Sequence, residues 1–133
     1  MKEFGATYVP VVLVVLAVGA ILVSGASSST AAQTAGEQIE SGRALFADRC
    51  AICHGAEAQG GAGPALDRRT LVAYRSGARL FSFVSTSMPL TNPGGLSEQE
   101  YYDVVAFLLD LNGLNPDGVP VDVSTLPDLV LGE

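Results

Sequence analysis

The chain has 133 residues, 48% apolar and 16% charged, with a net charge of −7. That length holds one domain and an appendage and excludes a large multidomain enzyme. The acidic balance, fourteen acids against one lysine and six arginines, excludes a basic nucleic-acid surface, and two cysteines with one histidine exclude a four-cysteine zinc site or any site built on two histidines.

Residues 8–26 read YVPVVLVVLAVGAILVSGA, 19 residues without a charge. Roughly 20 apolar residues span a bilayer core. The expectation is a single transmembrane anchor over 1–26, with Lys2 on the cytoplasmic side. The competing reading is a secretory signal peptide cleaved after the small residues at 24–26. Either one exports the rest of the chain. Residues 24–36, SGASSSTAAQTAG, have the composition of a flexible tether spanning about 20 Å, so 27–36 are expected as a linker.

From residue 37 to residue 133 the pattern is that of one all-α domain. Thr34 and Glu37 have capping-box spacing, and Ile39, Gly42, Phe46 and Cys50 follow at helical intervals. Residues 55–66 form a glycine-rich loop. Short helical stretches are expected over 70–87 and a loop over 89–95. Ser97 and Glu100 make a second capping box, opening a helix to about Leu111 with Gly113 just past its end. From about residue 114 the chain reads as an irregular tail packing back on the domain. No run alternates with the period of a strand.

The chemistry is concentrated in Cys50-Ala51-Ile52-Cys53-His54. Both cysteines and the only histidine fall within these five residues. Cys-x-x-Cys-His is the attachment signature of c-type haem. Two thiols add to the two vinyl groups of the porphyrin, and the adjoining histidine is then held beneath the iron. Three other readings use the same residues. A thioredoxin-like pair needs a βαβ setting that the pattern lacks. A Cys50–Cys53 disulfide closes a very short loop and stabilises little. A zinc ion would find three soft ligands and no fourth.

The iron axis is expected to run from His54 to Met88. Met1 lies at the terminus, so Met88 is the methionine that the domain can offer. A His/Met pair gives a six-coordinate iron of raised potential. The alternative is a methionine that fills a gap in the packing. Leu66, Leu80, Phe81, Val84, Phe107 and Leu108 are the expected apolar wall. Arg68, Arg69, Arg75 and Arg79 lie between the two axial positions, where some of them can bond the haem propionates. From Glu98 to the end there are eight acids and no base, which suits steering of a basic partner.

These stations together resemble the class I cytochrome c family. Gly42 and Phe46 look like the small and aromatic pair of its N-terminal helix, and Val105-Ala106-Phe107-Leu108 looks like its C-terminal helix. Gly63-Pro64-Ala65-Leu66 looks like its Gly-Pro-x-Leu loop, and Met88-Pro89 looks like its ligand loop. The resemblance covers about residues 37–113. It implies three to five helices around one covalent haem c held through Cys50 and Cys53. It also implies a hydrogen bond from His54 Nδ1 to the Pro64 carbonyl. The family's lysine-rich docking face has no counterpart, since no lysine follows Lys2.

The function so implied is one-electron transfer by a mono-haem cytochrome anchored in the cell membrane, its domain on the extracytoplasmic side. It acts as a tethered carrier or as a subunit of a respiratory or photosynthetic complex. Its partners are redox proteins and the membrane, with no nucleic acid and no small-molecule substrate. The alternative from another class is a haem enzyme or gas sensor with an open sixth iron position.

Overall fold

The computed structural model of the chain describes residues 33–132. The apolar segment expected as an anchor over 1–26 lies outside them, as does most of the linker over 27–36. Among the described residues no helix is long and apolar enough to cross a membrane.

Among the described residues five helices follow in order, joined by loops and turns. Helix α1 (Ala35–Arg49) begins where the capping box predicts. The Thr34 hydroxyl accepts from Glu37 N at 3.3 Å, and the Glu37 carboxylate accepts from Thr34 N at 2.9 Å. The helix therefore takes up Ala35 and Gly36, the last two residues of the expected linker. Cys50 caps α1 and leads straight into α2 (Ala51–His54), a single turn.

The stretch over 70–87 splits in two. Helix α3 (Arg68–Val72) is capped by Asp67, whose carboxylate accepts from Thr70 N at 2.9 Å. Helix α4 (Gly77–Ser87) is capped by Ser76 and closes at Met88, whose N–H bonds Val84 O at 3.0 Å. Helix α5 (Glu98–Leu111) carries the second capping box, at Ser97 and Glu100. Its far end is a Schellman motif: Gly113 N bonds Asp110 O at 2.9 Å and Leu114 N bonds Leu109 O at 2.8 Å. Gly113 supplies the positive φ of 60° that this closure requires.

Helix α5 is the centre of the domain. Every residue from Tyr101 to Leu109 is buried, because α1, α4 and the tail all pack against it. The α1–α5 crossing is close. A Cβ on Gly42 would run into the Asp103 carbonyl and stand 2.9 Å from Phe107 Cβ. Beside that contact the Phe46 and Phe107 rings meet at 5.3 Å, and the Arg43 guanidinium lies 5.1 Å over the Phe107 ring.

The tail is irregular but it belongs to the core. Val121, Leu126 and Leu131 are buried. The buried Gln38 amide clamps it to α1, donating to Val121 O at 2.8 Å and accepting from Val121 N at 2.7 Å. Further along, Gly77 N bonds Leu129 O at 2.8 Å, Leu131 N bonds Arg75 O at 3.1 Å, and Ser76 pairs with Val130 in an isolated β-bridge. The tail thus straps α1 to the start of α4.

Candidate functional site

The turn from α1 into α2 places the Cys-x-x-Cys-His residues on one side of the chain. Cys53 N and His54 N both bond Cys50 O, at 3.1 and 3.0 Å. Both cysteines are free and half-buried. As a free thiol, before any attachment, Cys50 is pushed up to about 11 by burial, followed by the neighbouring Cys53.

His54 is 8% exposed, and its Nδ1 lies 2.8 Å from the Pro64 carbonyl. A carbonyl only accepts, so Nδ1 is the donor in this contact and Nε2 is the ring nitrogen left to face the cavity side. The contact that the resemblance implies is therefore present, and the glycine-rich loop builds it. Gly60 N bonds His54 O at 2.7 Å and Gly63 N bonds Cys53 O at 2.8 Å. The loop passes close to the imidazole at residue 63, where a Cβ would sit 3.0 Å from His54 Cε1.

These groups open onto a cavity of about 440 Å³, within the roughly 300–1,000 Å³ of small-molecule and cofactor sites. Cys50, Cys53, His54, Pro64 and Met88 all line it. Of the expected wall, Leu66, Leu80, Val84 and Leu108 line it as well. Phe81 and Phe107 do not, and the packing shows why. Phe81 stacks on Tyr102 at 4.6 Å, and Phe107 turns towards α1. Their places are taken by Phe46, Leu71 and Val104, with Tyr74 and Phe83 in ring contact at 5.4 Å. Phe46 lies one turn before Cys50 and Val104 one turn before Leu108, so helical spacing was the signal available for both.

None of Arg68, Arg69, Arg75 and Arg79 lines the cavity. Arg68 instead donates to Asn112 O and Gly113 O at 3.0 and 3.2 Å, tying α3 to the end of α5. The inward face of α3 is given to Leu71. Arg49 is the arginine at the cavity, placed there because it immediately precedes Cys50. The mouth is framed by Ile52, 86% exposed, and Leu90, 76% exposed.

The donor set suits a c-type haem: two thiols three residues apart, an imidazole nitrogen, a thioether and a mostly apolar enclosure. Comparison with known proteins decides the family. Residues 37–108 match the family described as "Cytochrome C oxidase, cbb3-type, subunit III". The chain belongs to this family of mono-haem c-type cytochromes. A solved structure, the crystal structure of the sulfane dehydrogenase SoxCD from Paracoccus pantotrophus, is also similar, with a TM-score of 0.55 and 30% identity. The alignment covers 69% of this chain and 52% of that one, so the cytochrome spans about half the length of the chain it matches. No match is found among curated proteins.

Family membership fixes the coarse chemistry. The domain is an electron-transfer cytochrome c, and its cofactor is covalent haem c at Cys50 and Cys53. Bound there, haem supplies a one-electron ferric/ferrous couple.

Proposed function

We propose that this cytochrome is a membrane-tethered electron carrier, or an electron-carrying subunit of a redox complex, with its domain on the extracytoplasmic side. The observation that carries the reading is that His54 and Met88 line one apolar cavity together with both thiols. His54 Nε2 offers a ring nitrogen whose orientation the Pro64 contact fixes. Met88 offers a neutral thioether sulfur, which favours the ferrous state and raises the potential. His54 and Met88 would together hold the haem iron with side chains of the chain itself, which would leave no ligand position for a small molecule. The apolar walls exclude water and so limit reorganisation as charge changes. One electron enters and one leaves through the edge framed by Ile52 and Leu90.

Tethering rests on the 19 uncharged residues over 8–26 and the small polar residues that follow. Assembly with an oxidoreductase draws support from the likeness to the sulfane dehydrogenase. The central test is Met88→Ala in the holoprotein. The wild type is expected to exclude carbon monoxide; the variant should bind it in the reduced state, at a lowered potential. If the wild type binds carbon monoxide readily and the variant matches it in spectrum and potential, Met88 is a packing residue and the open-site reading replaces the carrier. For the tether, purification from native membranes should give a mature mass that starts at Met1 or Lys2, with redox subunits alongside. A mature N-terminus at or beyond Ser27 refutes the anchor.

A further inference from the structure

The loop from Met88 to Leu96 begins with the proposed sulfur ligand, and both of its ends converge on one side chain of α5. Tyr101 is 3% exposed. Its hydroxyl donates to Met88 O at 2.7 Å and accepts a longer bond from Leu96 N at 3.4 Å. The Met88 N–H is already bonded to Val84 O at 3.0 Å. Both polar groups of the Met88 main chain are therefore held, one by α4 and one by α5.

This matters because of where Met88 stands and what it is. It is the C-cap of α4, where carbonyls have no partner within the helix. Its unbranched side chain has three rotatable bonds and takes up any slack left to it. How far the sulfur can drift from one place therefore depends on how firmly the Cα is fixed. The phenol of Tyr101 supplies that fixation and ties the far end of the loop to the same atom. Its neighbour Tyr102 is also buried, but its hydroxyl bonds Glu98 at 3.0 Å and its ring stacks on Phe81. It has no part in the loop.

We infer that Tyr101 is a positioning residue for Met88, its hydroxyl pinning the loop over 88–96 so that the sulfur keeps the sixth iron position closed. The inference rests on Met88 being the axial ligand. It concerns the main chain of the ligand, not the ligand itself.

Tyr101→Phe keeps the buried ring and removes only the hydroxyl, leaving Met88 O and Leu96 N without their partner. The fraction of molecules with the sulfur off the iron should rise about tenfold, the scale set by one buried hydrogen-bonding group left unmade. The experiment compares wild type, Tyr101→Phe and Tyr102→Phe as holoproteins. It reads the affinity of the ferrous form for carbon monoxide and the weak far-red band that marks methionine ligation of ferric iron in this family. The expected result is a far-red band in the wild type, about tenfold tighter carbon monoxide binding in Tyr101→Phe with a weakened band, and wild-type behaviour in Tyr102→Phe. Tyr101→Phe indistinguishable from wild type, while the wild-type band is present, overturns the positioning role and leaves ligation intact. Equal effects in both tyrosine variants also overturn it, since they report general loosening of α5. Absence of the band from the wild type removes the ligand reading and this inference with it.

Discussion

Replacing Gly42 by alanine sets two effects of known sign against each other. Alanine is the better helix former by about 1 kcal/mol, which favours the variant. Against this, the new Cβ would meet the Asp103 carbonyl and stand 2.9 Å from Phe107 Cβ, where carbon–carbon contacts relax at about 3.5–4.0 Å. Neither neighbour is the free end of a flexible side chain, so relief requires α1 and α5 to part. That opens the Phe46–Phe107 contact at 5.3 Å and the Arg43 stack at 5.1 Å. Overpacking of a close-packed core destabilises by about 1–3 kcal/mol, and a backbone obstacle places Gly42 at or beyond the top of that range. The net expectation is a loss of about 2 kcal/mol, or about 8–16 °C in Tm for a domain of this size. Gly36 on the same helix is the control, because a Cβ there meets nothing within 4 Å. Thermal unfolding of the ferric holoprotein, followed by circular dichroism, compares Gly42→Ala, Gly36→Ala and wild type. Gly36→Ala should match or exceed the wild type. Gly42→Ala doing the same would refute the close approach of the two helices.

Three other perturbations test the cofactor, the tail and one buried acid. Haem should stay with the wild-type polypeptide through acid–acetone extraction, whereas the double variant Cys50→Ser, Cys53→Ser should yield an apoprotein that melts without a sharp transition, its cavity of about 440 Å³ unfilled. Gln38→Leu deprives both Val121 N and Val121 O of their partners, so the urea midpoint should fall by the equivalent of about 1–3 kcal/mol per group, and the tail should become sensitive to protease; an unchanged midpoint contradicts the clamp. Burial raises the Asp103 carboxyl above its ordinary 3.8, against the hydrogen bond from Gln99 at 2.8 Å. The folded state then binds that proton more tightly than the unfolded chain does. Its favourable contribution is complete below the unfolded pKa and is lost as pH rises through the folded one. Asp103→Asn should thus stabilise the domain at pH 7 and lose its advantage below about pH 4; a gain that grows on acidification instead would show the sign to be wrong.

The sequence determined what depends on neighbours along the chain. Cys50, Cys53 and His54 lie within five residues, so their chemistry is local and needs no fold to be recognised. The two capping boxes and the glycine past α5 are local too; α1 and α5 begin where the boxes place them, and α5 ends ahead of Gly113. What the tertiary structure alone decided is which faces meet. Phe81 and Phe107 have the size and spacing of cavity-wall residues, yet the crossing of α1 on α5 and the stacking on Tyr102 turn both elsewhere. None of the four arginines between the axial positions in sequence lines the cavity; on α3 Leu71 holds the inward face, and Arg49 takes the cavity edge. Gln38 reads as an ordinary helix-surface residue until Val121, 83 positions on, folds back to meet it. Tyr101 and Tyr102 are identical in composition and adjacent in sequence. Only the return of the loop over 88–96 onto α5 gives one of them the ligand's carbonyl, because a helix distributes neighbours to different faces and the sequence does not record what those faces will touch.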